Sequence, residues 1–305
     1  MPIHVLFLVL ASAVVHVGWN VLARAAPRGS DFSWRVNVAG ALMLLPLVLV
    51  RRVYVPWAID GELLRLAALS ALFEAIYFLL LERAYATADL SVVYPLSRGV
   101  APLLVLLPAR GFTGDALGAS ALVGIAVATI GIALIAGRST SRRALLLALA
   151  TGAATAAYQL VDRRAMQRLS ADSALDYLAV MQAVLALLLS AVHFEQRGRR
   201  ENRRRQAQLV GPRTDETSGL PDGTRVSWRP ALLAAAAIQL AYLLVLDALA
   251  DGKGNVTLVS AARNVGIPLS LLAGWLFFRE PVGRRRIVGA IVLVAGVLLT
   301  LKLGR

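Results

Sequence analysis

Two arginines, Arg98 and Arg263, and one glutamate, Glu74, stand inside stretches otherwise built of leucine, valine and alanine. A guanidinium can grip a carboxylate or phosphate through two parallel hydrogen bonds, and an enclosed carboxylate can take up and release a proton. The residues around them suit recognition of a small molecule. Glu74 and Tyr77 are three apart and share a helical face, as do Gln239 and Tyr242. In "HVGWN", His16, Trp19 and Asn20 fall at i, i+3 and i+4, and Tyr158 and Gln159 answer them further along; Tyr94 and Asn264 flank the two arginines. Tryptophan and tyrosine rings can stack on a substrate while amides orient it. Counting two arginines against one carboxylate favours a substrate with a negative group, anionic or zwitterionic. Glu74 or His16 could carry a coupling proton. The alternative is internal neutralisation: Glu74 pairs with Arg98, Gln239 and Arg263 bond neighbouring backbone, and His16 is a packing residue.

The elements that must hold these residues are transmembrane helices. The chain has 305 residues, 58% hydrophobic and only 16% charged, too oily for a soluble domain. Windows long enough to cross about 30 Å of hydrocarbon recur throughout. Ten spans are expected, at 3–23, 34–50, 63–82, 90–108, 116–136, 144–162, 174–194, 230–250, 255–278 and 286–303. The first is read as a retained span, because it lacks a basic leader and stays apolar to Ala23. There is no cysteine, and His4, His16 and His193 form no ligand cluster, so no metal site or cofactor is expected. Pro95 and Pro102 interrupt the fourth span and Pro268 the ninth, which loosens the helix next to each arginine and suits a gate, although such kinks also occur without gating.

The spans repeat. At an offset of 165, Glu74 falls on Gln239, Tyr77 on Tyr242, Arg98 on Arg263, Asp115 on Glu280, Gly124 on Gly289 and Gly131 on Gly296. At an offset of 139, "GWNVLAR" (Gly18 to Arg24) lies over "AYQLVDR" (Ala157 to Arg163). The fold class is therefore an all-α integral membrane protein, ten helices as two inverted five-helix repeats over 1–137 and 144–305. An odd number of spans per half reverses the second half in the membrane and puts a shared site near the midplane. Gly124 and Gly131, like Gly289 and Gly296, are seven apart on one face and serve close helix packing.

The net charge is +14, and Glu195 to Arg229, which holds nine arginines, reads as a basic, disordered loop. Beside a membrane span it acts as a topology signal and meets anionic lipid headgroups; nucleic acid is not its expected partner. Apart from Arg98 and Arg263, odd-numbered connections carry 20 of the remaining 30 basic residues, which by the positive-inside rule puts both termini outside.

"SVVYPLSRGVAP", the terminal "FFREPVGRRRIVGAIVLVAGVLL" and its fainter first copy "GFTGDALGASALVGIAVATIGIAL" resemble the EamA-type families of the drug/metabolite transporter superfamily, and "HVGWN" resembles the start of one subgroup. The resemblance implies a ten-helix secondary carrier or exporter of small metabolites in the cell (inner) membrane, with a central cavity lined by both halves and cytoplasmic termini. That orientation opposes the charge count, and both remain open. Asp115 stands where the family's first half usually has glutamate, and the basic segment is an addition. The expected function is alternating-access transport, with proton coupling open. Two other classes compete. A non-transporting sensor or scaffold would use the basic segment to bind a partner. A membrane-embedded enzyme on a lipid-linked substrate would need clustered acids; Asp162, Asp172 and Asp176 are scattered and read as solvated.

Overall fold

The computed structural model describes residues 2–27, 31–57, 59–115, 118–136, 141–169, 173–209, 227–251 and 255–303. All regular structure among them is helical, in the order α1 (Ile3–Ala25), α2 (Phe32–Tyr54), α3 (Gly61–Thr87), α4 (Leu90–Gly99), α5 (Ala101–Phe112), α6 (Ala119–Ala136), α7 (Arg142–Met166), α8 (Ala174–Leu209), α9 (Trp228–Ala250), α10 (Val256–Ala262), α11 (Gly266–Phe278) and α12 (Arg284–Leu303). Among the described residues, seven stretches are long and apolar enough to cross a membrane, and Leu90–Leu106 and Ala121–Ile135 are shorter apolar helices. The protein is thus a multi-pass membrane protein. The expected boundary between halves lies between 137 and 144, and of it residues 137–140 lie outside the described residues.

Side chains sort as lipid requires. Large apolar residues such as Phe7, Leu42, Leu49, Ile130, Trp275 and Ile291 face outward, whereas Ser70, Glu74, Arg98, Gln159, Asp162 and Arg263 are buried. Helix starts are set by short polar caps. Asp60 accepts from the Leu63 N–H at 2.8 Å; that bond, with the nearby Arg168 charge, holds its carboxyl below the ordinary carboxylate range. Asn255 accepts from Thr257 and Leu258 at 2.9 and 3.2 Å to begin α10.

Helix pairing comes in matched sets: α3 packs on α7 and α9 on α1, α3 on α8 and α9 on α2, with α2 on α8 and α6 on α12. The α6–α12 contact is glycine-on-backbone. A Cβ on Gly131 would sit 2.7 Å from the Gly289 carbonyl oxygen, and one on Gly289 would sit 2.7 Å from that of Gly131. Lipid supplies no hydrophobic force between helices, so this close approach does the holding.

One expectation changes. The segment expected as a loop from 195 begins as helix, since α8 runs on to Leu209; residues 210–226 lie outside the described residues. Pairs one turn apart, Glu195 with Arg199 at 2.6 Å and Arg197 with Glu201 at 3.1 Å, support that extension. The fourth and ninth spans are each divided, α4 from α5 at Val100 and α10 from α11 by a 3-10 turn over Arg263–Val265. Pro102 enters α5 in its first turn and cannot donate to the Arg98 carbonyl; Pro268 likewise leaves Asn264 without its helical donor.

Candidate functional site

Each break carries an arginine inward. Arg98 ends α4, and its guanidinium donates to the Tyr158 hydroxyl at 3.3 Å and the Tyr77 hydroxyl at 3.4 Å, contacts His16 Nε2, and lies 5.7 Å from the centre of the Tyr77 ring. Arg263 is buried in the 3-10 turn, and its guanidinium makes none of the side-chain hydrogen bonds or ion pairs seen among the described residues. Glu74, one turn before Tyr77 on α3, is also buried and likewise unbonded, within reach of the charges on Asp162, Arg98 and Arg263. The Glu74–Arg98 pair of the alternative reading is thus not among the ion pairs of the described residues. Two phenols and an imidazole satisfy Arg98 instead, and backbone bonds from Gln239 and Arg263 are not seen among the described residues.

A second acid belongs to the site. Asp162 is 1% exposed. Ser70 and Tyr177 donate to one of its oxygens at 2.6 and 2.9 Å, and Tyr242 to the other at 2.5 Å. The reading of Asp162 as solvated is corrected: α7 continues to Met166, so Asp162 lies a full turn inside the helix on the same face as Tyr158. That i, i+4 relation to Tyr158 was the available signal. Asp176 is also buried, between Arg52 at 2.6 Å and Arg51 at 3.5 Å, near the end of α2. Asp172 lies outside the described residues. With Asp162 the core holds two arginines and two carboxylates, so the positive excess disappears. Ser70 and Tyr177 were likewise missed, lacking any partner signal in sequence.

Three tyrosines line the space between Arg98 and Asp162. Tyr77 and Tyr158 have ring centres 6.0 Å apart, Tyr158 and Tyr242 6.1 Å. Three amide oxygens, Gln159 Oε1, Gln239 Oε1 and Asn264 Oδ1, are buried without a hydrogen-bond partner. Such groups are costly to bury. Tyr94 sits 6.3 Å from the His16 ring. Asn20, by contrast, is satisfied internally, donating to the His16 carbonyl at 2.8 Å and accepting from Tyr85 at 2.6 Å.

Trp19 closes one side. It stands edge-on to His16 and tilted against Phe78, each at 5.6 Å between ring centres. Beyond Trp19 and Phe78 lies a vestibule of about 370 Å³, lined also by Arg24, Ala26, Tyr85 and His193. It opens where α1 and α3 end and α2 begins. At the opposite end Arg163 grips both oxygens of Asp115 at 3.0 and 3.1 Å, and also the Asp251 carbonyl at 3.3 Å and that of Leu249. Asp115 in addition accepts from the Val256 N–H at 3.1 Å, capping α10. Glu280 does the same for α4, accepting from Leu90 and Ser91 at 3.0 and 2.9 Å. Arg279, in left-handed conformation at φ 53°, turns the chain after α11 so that Glu280 reaches across.

No curated protein matches the chain. A solved crystal structure, titled only as that of a protein, is similar to it over 100% of this chain and 99% of its own, with a TM-score of 0.70 and 15% identity, a likeness of fold alone. The EamA-like transporter family matches residues 142–302, more than half of the sequence and including Asp162, Arg263 and the Glu280 region. By that match the chain belongs to the EamA-like transporter family, secondary transporters of the drug/metabolite transporter superfamily.

Proposed function

We propose that the chain is a cell-membrane exporter that moves a small zwitterionic metabolite by alternating access, through ten spans arranged as two inverted repeats. The observation that carries this is the mixed polarity of the buried side-chain cluster. Arg98 and the unbonded Arg263 suit a carboxylate. Glu74, Asp162 and three partnerless amide oxygens suit an ammonium group, with tyrosine rings between. A simple anion would leave those acceptors unsatisfied. The matched helix pairings and the reciprocal caps from Asp115 and Glu280 support the two-repeat arrangement.

Glu74 is the proton-coupling group in this reading, because it is the buried acid that protein donors leave unbonded, whereas His16 is engaged as a partner of Arg98. The vestibule lies at the arginine-rich end, which the positive-inside rule places in the cytoplasm, consistent with loading from within. The extended α8 then lies near anionic headgroups.

Counterflow in proteoliposomes against amino acids, organic anions and amines tests the reading. Zwitterions are expected to exchange, and Arg98→Ala and Asp162→Asn each to abolish exchange. Exchange of plain anions that survives Asp162→Asn would overturn it.

A further inference from the structure

Asp115 and Glu280 are equivalent at the offset of 165, and Arg163 and Arg24 at the offset of 139. Both acids cap a broken helix of the opposite half, Asp115 at Val256 and Glu280 at Ser91, themselves equivalent positions. The arginines differ. Arg163 is locked on Asp115 at 3.0 Å. Arg24 is not on Glu280; it stands 3.8 Å from Asp89 and 5.7 Å from the centre of the Phe278 ring, with Nε buried and partnerless.

The surroundings follow the same asymmetry. Arg163 also holds the carbonyl of Leu249 at the end of α9. The counterpart of Leu249 is Ala84 at the end of α3, whose carbonyl is taken by Thr87 at 2.9 Å rather than by Arg24. Between Arg24 and the end of α3 lies the vestibule. The end with the complete arginine lock buries Ala165, Leu249 and Arg163, and the end without it holds the vestibule.

In an inverted repeat, exchanging the conformations of the two halves converts one access state into the other. A contact made at one end and missing at its equivalent therefore marks what forms in the opposite state. We infer that Arg163–Asp115 and Arg24–Glu280 are alternating locks, each closing one face of the membrane and only one made at a time. This rests on the alternating-access reading above. Arg24 and Glu280 are thus positioning residues that act through α4 and its Arg98, and do not themselves touch cargo. An enclosed ion pair biases a two-state equilibrium strongly while adding nothing to the site itself.

The chain has no native cysteine, so single reporters can be placed freely. Ala26 lines the vestibule, and its equivalent Ala165 is fully buried beside Arg163. Thiol-reagent rates are measured at Ala26→Cys and Ala165→Cys in membranes. Arg163→Gln is expected to raise labelling of Ala165→Cys by about tenfold or more and to lower that of Ala26→Cys, the shift that removal of one differential contact produces. Arg163→Lys, which keeps the charge, should stay near the starting rates. Arg24→Gln should leave Ala165→Cys protected and Ala26→Cys fully reactive, with exchange lost. Unchanged rates in Arg163→Gln, a rise at both reporters together, or exposure of Ala165→Cys by Arg24→Gln would each overturn the inference. Labelling needs no substrate. Absence of flux for every zwitterion, with this labelling pattern intact, would sink the transport reading and leave the alternating locks standing.

Discussion

At the scale of single residues, the site turns on how buried charges are satisfied. Arg98 draws its bonds from two phenols and an imidazole rather than from Glu74, which the proposed mechanism reads as the proton carrier. Replacing Glu74 with glutamine is expected to keep exchange of bound substrate but to abolish uptake driven by a pH gradient, read by comparing counterflow with gradient-driven flux; gradient-driven uptake at the unmodified rate would remove Glu74 from coupling. Much of this chemistry was legible. Arg98, Arg263, Glu74 and the tyrosines stood out because ionisable and aromatic-polar side chains are rare in lipid-spanning helices and repeated at one offset. Asp162 did not, because it sits near the end of an apolar window and its repeat partner is Ala23. Nor could spacing reveal that three hydroxyls converge on it, since Ser70, Tyr177 and Tyr242 come from three other helices.

Helices meet by different rules at different contacts. The α6–α12 seam is set by reciprocal glycines, so Gly131→Val or Gly289→Val should force the pair apart and lower thermal stability in detergent, at a cost of about 1–3 kcal/mol for overpacking. Gly18 is the contrast. A Cβ there meets nothing within 4 Å, so Gly18→Ala should be neutral or stabilising by up to about 1 kcal/mol through helix propensity. Equal losses at both positions would mean that the seam is not what the glycines serve. The proline breaks were readable because a missing N–H acts locally. The helical continuation of α8 into the basic segment was not, because composition alone suggested disorder while one-turn ion pairs favoured helix.

Across the whole molecule, access is one-sided: a vestibule at one end and the Arg163–Asp115 lock at the other. By the positive-inside rule the open end is expected to face the cytoplasm. A single Gly198→Cys on the exposed end of α8 is therefore expected to react in intact cells only with a membrane-permeant reagent; reaction with an impermeant one would invert the orientation and make this an outward-open state. The recurrence of polar residues at fixed offsets was visible in sequence. Which end is open was not, since equivalent residues such as Arg24 and Arg163 look alike until their partners are seen.

The cap that Glu280 places on α4 also bears on how the chain is made. The bonds to Leu90 and Ser91 join positions 190 and 189 residues apart. At translation rates of about 5–20 residues per second, the start of α4 waits on the order of 10–40 s before its acceptor is synthesised. During that interval two backbone donors, with the positive end of their helix, must be held by lipid headgroups, water or the insertion machinery. The first half can enter the membrane early, but its central helix completes its bonding only when nearly all of the second has followed.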